Sequence, residues 1–458
     1  MGDRCGVTAV TGSFAGLYCL VSFEQQRGFR TGYDSTIFDQ AVHSYSRLRG
    51  PISPVKGVHD FGIVGYNLLA DHFSPIWAVL APFYRLWPSI GLLFVAQSVL
   101  FAASGVPVWR FTRRALGRRA AYLVLAGYGL AWGLQSALGF DVHEIMFAVP
   151  LTALAVERAD AGRPGQAVAA ASVLLVVKEQ FGLFLAGFGV YLAVRGYRRL
   201  GALTALGGLA AFELTVNVLI PHFAAGHHYA YFTDTVFRGG LPAALGFAVR
   251  HPVRLLRLFV LPGPKWRTLL WLTAPWGFAA LGSPLALLAV PLLLVRFLGT
   301  DPHWWGTAFQ YDAELMPLAV LAAVDGIRRV RSRLPRLRSE RWALGWAAAV
   351  LGGAVWACTR FPFGQLGATA EWSTTAAVAA AEAAVAHVPP GVTVEAPAQV
   401  GPHLVDRDTV LLLDPTPRNA PWVVVGSRAP AADRTARLES AGYHVVFADD
   451  GYVVLNRP

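Results

Sequence analysis

Apolar runs of roughly membrane-spanning length alternate along this chain with short polar gaps of two kinds, and the two kinds of gap themselves alternate. With about 20 residues needed per span, about eleven spans are predicted: 5–23, 89–109, 119–138, 145–158, 166–178, 181–195, 201–220, 267–281, 284–298, 313–327 and 342–358. The runs near 145, 166 and 284 are short, as expected of tilted spans or spans shielded by protein. One set of gaps is rich in arginine: Arg110 to Arg119, Glu157 to Arg163, Arg195 to Arg199 and Arg328 to Arg341. The other set holds Asp39, Asp71-His72, Asp141-Val142-His143-Glu144, Lys178-Glu179, His222, His227-His228 and Asp301-Pro302-His303. The positive-inside rule assigns the arginine set and the N-terminus to the cytoplasm. All twelve histidines then fall on or near the opposite, outer side. The first run, Val7 to Phe23, lacks a convincing small-x-small cleavage site, has only Arg4 before it and reads as an uncleaved span.

Two outward segments are too long to be connectors. The first, residues 24–88, carries helical patterns at 36–48 and 75–86, and loops of that length inside a compact protein are usually functional. The second is a tail from about residue 371, where continuous apolar sequence gives way to short alternating strands and one amphipathic helix at 434–441. With Asp449-Asp450-Gly451 as a hairpin turn, this predicts a small α/β domain over 371–458, outside the membrane and able to recognise an acceptor or partner. The fold class expected is an α-helical polytopic membrane protein with its membrane domain at 1–360 and an extracytoplasmic C-terminal α/β domain. Residues 250–267 put arginines on the outer side in an amphipathic pattern, His251-Pro-Val-Arg-Leu-Leu-Arg-Leu-Phe259, suited to an interfacial helix that meets lipid phosphate.

Composition agrees. The chain is 55% apolar and only 15% charged, where soluble domains carry about 25% charged residues. Its net charge of +11 sits in loops beside apolar spans, so nucleic acid is not the expected partner. The three cysteines, Cys5, Cys19 and Cys358, lie in or beside spans and offer no disulfide framework outside.

Ionisable residues at a membrane face are expensive and point to chemistry. Asp39 suits a general base, or equally a residue that steadies a loop helix, whereas Asp34 before Ser35-Thr36 looks like a helix cap. Asp141, His143 and Glu144 pack three potential ligands into four residues, which a turn, with Asp71 or His72, could gather around a divalent cation such as Mg or Mn. The alternative is a polar loop bonded to its neighbours. Lys178 and Glu179 end an apolar run, either as a mutual ion pair or with Lys178 turned to a phosphate. His222, His303 and Tyr311 complete the candidate substrate contacts. The Trp304-Trp305 pair would stack on a sugar ring or sit in the interfacial aromatic belt.

Five segments in order, Tyr33-Asp-Ser-Thr-Ile-Phe-Asp-Gln-Ala-Val-His43, Asn67-Leu-Leu-Ala-Asp-His-Phe-Ser-Pro75, Phe140-Asp-Val-His-Glu144, Lys178-Glu-Gln-Phe-Gly182 and Pro221-His222, resemble the membrane-protein family called domain of unknown function 2079. That family is similar in layout to the GT-C glycosyltransferases. The GT-C resemblance implies an enzyme that takes a sugar from a polyprenyl-phosphate carrier and transfers it to a cell-envelope acceptor outside. It places Asp39 where those enzymes carry an acidic residue early in the first outward loop, and Asp71 to Pro75 at a second family segment. Asp39-Gln40 departs from the Asp-Asp or Asp-Glu pairs common there, and Gln310-Tyr311 from a His-Tyr. The rival readings are a transporter or flippase, in which the intramembrane charges form a pathway, and a membrane scaffold whose tail binds a partner.

Overall fold

The computed structural model describes residues 2–233, 235–368, 372–416, 418–426 and 431–458. The chain is mostly helical with one small sheet at its C-terminal end. Among the described residues, three helical stretches are long and apolar enough to cross a membrane: Gly2–Arg27, Gly91–Leu116 and Arg198–Phe223. Others are shorter, as at Pro164–Val176, Phe181–Val194 and Pro284–Phe297, so the expected count of eleven does not appear as eleven clear spans. Short runs arise where a helix breaks at polar residues, as at Lys178-Glu179-Gln180 between Leu174–Val176 and Phe181–Val194. The helices Phe181–Val194 and Arg198–Leu214 cross at glycine. A Cβ on Gly189 would lie 2.3 Å from the Ala205 backbone nitrogen, and one on Gly208 2.6 Å from that of Ala186, the small-residue contact by which helices approach closely without a hydrophobic drive in lipid.

The arginine gaps converge. Arg114 from one gap pairs with Glu157 and Asp160 from a second, and Arg328 from a third pairs with Asp160 and Asp325. The acid and histidine gaps meet elsewhere, around the first long loop.

That loop is structured. The helix Tyr33–Ser46 begins three residues before the predicted pattern, because the Asp141 carboxylate accepts hydrogen bonds from the backbone N–H of Gly32 (2.6 Å) and Asp34 (3.1 Å) and from the Ser35 hydroxyl (2.9 Å). Its start is capped by another segment, an arrangement local sequence cannot encode. Asp34 therefore is not the cap. It stands inside the first turn. Downstream, the turns Pro75–Leu80 and Ala81–Leu86 bury Trp77 and Tyr84 while leaving Val79, Phe83 and Leu86 exposed, the profile of an interfacial element.

The alternating tail forms strands β1 Thr393–Ala396, β2 Thr409–Leu412, β3 Trp422–Val425, β4 His444–Asp449 and β5 Tyr452–Asn456, in the order β2-β1-β3-β5-β4. β1 runs parallel to β2 and β3, and β5 antiparallel to β3 and β4. Asp450 and Gly451 both take positive φ, 38° and 77°, as a tight hairpin requires. The expected boundary at residue 371 lies outside the described residues.

The sheet region is clamped to the first loop. Gln40 Nε2 donates to Val410 O (2.9 Å), Asp406 accepts from Ser89 Oγ (2.9 Å) and Ile90 N (2.7 Å), and His59 Nδ1 lies 2.7 Å from Asp414 Oδ2. His403 stacks on Phe29 at 3.7 Å, and burial pushes its imidazole down from 6.5 to about 4. A histidine buried in its neutral form contributes stability that is complete above the unfolded value, and that is lost as pH falls from about 6.5 toward about 4, where the unfolded chain takes the proton first. Thermal unfolding at pH 7 and pH 5 should therefore show an acid loss in the wild type that is smaller in His403→Phe. Equal losses would contradict the role given to this stack.

Candidate active site between the first loop and the helical bundle

A cavity of about 220 Å³ opens where the first loop, the 139–144 turn, the 178–180 helix break and the 295–314 segment meet. Asp34, Ile37 and Phe38 supply one wall. These positions are i, i+3 and i+4 of one helix and so share a face. Asp39 is on another face: it is fully buried, accepts a hydrogen bond from Tyr84 (2.8 Å), and does not line the cavity. Thr36 and Gln40, its neighbours, contact Gly401 and Val410. Of the two carboxylates on this helix, Asp34 faces the cavity and Asp39 does not, the reverse of the expected arrangement with a base at Asp39 and a cap at Asp34.

The 139–144 turn divides its three polar groups. Asp141 spends both oxygens on the helix start and does not line the cavity. His143 does, with Nε2 3.5 Å from Asp34 Oδ2 and Nδ1 2.7 Å from Glu144 Oε2, a contact of charge more than of aligned hydrogen bonding. Burial opposes protonation of His143, but Glu144 and Asp34 outweigh it and push the imidazole up to about 9. Glu144 is fully buried and also accepts from Lys178 Nζ at 2.8 Å. Among the described residues no three His, Cys, Asp or Glu side chains are placed to hold a metal ion. The expected divalent-cation site on Asp141, His143 and Glu144 does not fit this geometry, because Asp141 points away and Glu144 is held between two cations.

Lys178 and Glu179 do not pair with each other. The helix break turns both into the cavity, where Lys178 binds Glu144 and Glu179 binds His72 Nδ1 (2.9 Å), Tyr229 OH (2.5 Å) and the Phe73 N–H (3.2 Å). A helix break with charged side chains is tolerated where it lines a protein-enclosed cavity. Asp71 faces the same space, held by Lys56 Nζ (3.4 Å) and the Tyr231 hydroxyl (2.9 Å). Burial raises its carboxyl, but the Lys56 ammonium prevails and holds it below the usual carboxylate range.

Of the remaining expected contacts, Tyr311 lines the cavity, 5.5 Å from the Arg296 guanidinium. His303 does not. Its side chain is 71% exposed and bonded to its own neighbour Asp301, which does line the space. His222 is exposed on Ile220–Phe223, away from the cavity.

Several lining residues escaped the sequence reading. Arg296 interrupts an apolar run and pairs with fully buried Asp312 (2.8 Å), a visible signal of a polar wall. Its guanidinium also donates to the carbonyls of Trp304, Gly306 and Tyr311, so it shapes the wall and has little left for a ligand. Glu314 accepts from Gln180 Nε2 (2.8 Å) through one oxygen. Its other oxygen, and the Gln310 side-chain oxygen, are buried without hydrogen-bond partners, and both residues line the cavity. Buried polar atoms are normally satisfied, so these two acceptors are suited to ligand hydroxyls.

Residues 28–437 match the sequence pattern of the family described as "Predicted membrane protein (DUF2079)". The chain belongs to the DUF2079 family. No curated protein is similar to it in sequence. In fold, this DUF2079 protein is similar to the crystal structure of ArnT from Cupriavidus metallidurans bound to undecaprenyl phosphate, with a TM-score of 0.54 at 15% identity over 98% of each chain. The crystal structure of the Archaeoglobus fulgidus oligosaccharyltransferase tethered with an acceptor peptide matches over 88% of this chain and 64% of its own, with a TM-score of 0.44 at 12% identity. The fold of the chain is thus similar to that of ArnT, and the protein is a membrane protein.

Proposed function

We propose that the protein is a membrane glycosyltransferase that moves a sugar from a polyprenyl-phosphate carrier to an acceptor hydroxyl outside the cytoplasm. The observation that carries this reading is one cavity holding both an acceptor for a proton, Asp34, and a cation with unused donors, Lys178, beside unpaired oxygens on Glu314 and Gln310. The likeness to a fold that binds undecaprenyl phosphate in ArnT supports the same donor class.

The acceptor oxygen attacks the anomeric carbon as its proton passes to the Asp34 carboxylate. The bond from that carbon to the carrier phosphate oxygen breaks, and the phosphate leaves as an anion toward the Lys178 ammonium. One displacement inverts the centre and needs one base, since the leaving group requires no proton. Asp141 acts as a positioning residue by fixing the first turn that carries Asp34, and His143 holds that carboxylate from the other side. The arginine cluster on Arg114 and Arg328 supports, through the positive-inside rule, a reading in which that end is cytoplasmic and the cavity and the C-terminal sheet lie outside.

Purified protein in nanodiscs, given a radiolabelled polyprenyl-phosphate sugar, should release polyprenyl phosphate. Asp39→Asn should retain most of that turnover, because this side chain faces Tyr84 and the tail. Sugar or carrier that crosses the bilayer with no bond broken would favour a flippase. Neither movement nor turnover would favour a scaffold.

A further inference from the structure

Behind the Asp71–Tyr231 pair lies a second, smaller chamber of about 180 Å³ that the chemistry above does not use. Phe61, Tyr66, Ala225, His228, Asp71 and Tyr231 are among its walls. Asp71 and Tyr231 line both spaces. The partition is therefore one layer of side chains: the Tyr231 hydroxyl donates to Asp71 Oδ1 at 2.9 Å, and its ring lies nearly parallel to that of His72, 4.8 Å away at 10°.

We propose that this chamber is the acceptor's entry subsite, that it binds a pyranose ring, and that Tyr231 is the gate between it and the main cavity; this rests on the glycosyl-transfer reading of that cavity. Three features select the ligand class. Phe61 and Tyr66 stack at 4.7 Å and 17°, and Phe61 stays 48% exposed, so a flat aromatic face is offered to the C–H edge of a sugar, whose hydrogens are drawn to the negative ring face. Asp71, which lines both spaces, contributes a carboxylate able to accept a ligand hydroxyl. Ala225 and Gly226, also in its walls, are small, and a Cβ on Gly226 would come 2.8 Å from the His228 ring.

Approach routes separate the two substrates. On its other flank the main cavity is bounded by Phe232 and Val295, which join an apolar cluster with Phe212, Val216 and Ile220. Over that cluster lie the helices Gly240–Arg250 and Pro252–Val260, none of whose side chains is buried and whose Leu245, Val249, Val253 and Leu256 are 63–81% exposed. A lipid-linked donor fits the apolar flank. A polar acceptor fits the chamber with the exposed aromatic, and the two meet at Tyr231.

The test needs no turnover. In full-length protein carrying Ala225→Cys, the rate at which a membrane-impermeant methanethiosulfonate labels the introduced thiol is read by intact mass, with Cys5, Cys19 and Cys358 as internal references. Methyl hexopyranosides serve as probes and glycerol as the control. At a hexoside concentration about ten times its Kd, labelling should slow by about tenfold, glycerol should have no effect, and adding Phe61→Ala, an exposed position, should remove the protection. Unchanged labelling with every hexoside overturns the proposal, as does protection that survives Phe61→Ala. Because polyprenyl-phosphate turnover is measured separately, it can stand when this subsite fails, and the subsite can protect when turnover is absent.

Discussion

Asp34→Asn is expected to lower sugar transfer by ~10²–10⁴-fold, the usual contribution of a positioned general base, while carrier binding and thermal stability stay close to wild type. The amide keeps the size of the carboxylate and the helix start is held by Asp141, so the loss should fall on kcat. His143 strengthens the expectation: pushed up to about 9 by Glu144 and Asp34, it lies 3.5 Å from Asp34 Oδ2 and helps to aim that carboxylate. Kinetics on the donor with saturating acceptor would separate kcat from KM. Loss of carrier binding with kcat intact would move Asp34 from proton transfer to donor recognition.

Glu144→Leu should be the most destabilising single change around the cavity. Glu144 is fully exposed to neither water nor lipid and holds Lys178 and His143 at once. Removing one partner of a buried pair leaves an uncompensated charge and costs ~3–5 kcal/mol. Adding Lys178→Met removes the stranded ammonium, and part of the stability should return, as an apolar isostere of a buried pair is often tolerated. Activity should not return, since the cation for the leaving phosphate is gone. Thermal unfolding in detergent together with polyprenyl-phosphate release reads both effects. A double variant as unstable as Glu144→Leu alone would show that the pair does not act as a unit.

The cavity was largely legible in the sequence because charges cannot be left in lipid. Asp71, His72, His143, Lys178, Glu179 and Tyr311 stood out in or beside apolar runs, and the structure brings all six to one space. Which carboxylate of the first helix faces that space was not legible. Asp34 and Asp39 are five residues apart, hence about 140° apart around a helix. Both faces are buried, one against the cavity and the other against the tail, so no hydrophobic pattern marks the difference. The Asp141 role was hidden for a related reason: a carboxylate that caps a helix 107 residues earlier in the chain leaves no local signature. His222 and His303 were drawn in by residue type alone, and type does not fix the direction in which a loop side chain points. Lys56, Tyr229 and Tyr231 lie in loops between apolar runs, where polar residues are ordinary, and only the fold shows them turned to the cavity. The strands of the tail were readable because alternation and turn chemistry agree there. Span counting was harder, since helices broken at functional residues read as short runs.

The most direct measurement is a cryo-electron microscopy map of the protein with a polyprenyl phosphate bound. Phosphate density within hydrogen-bond reach of Lys178 Nζ, about 2.7–2.9 Å, in the cavity that holds Asp34, with the polyprenyl chain leaving past Phe232 and Val295, is the expected result. A phosphate seated at the arginine end near Arg114 and Arg328, or in a site with neither Lys178 nor Asp34 beside it, would contradict a donor site in this cavity.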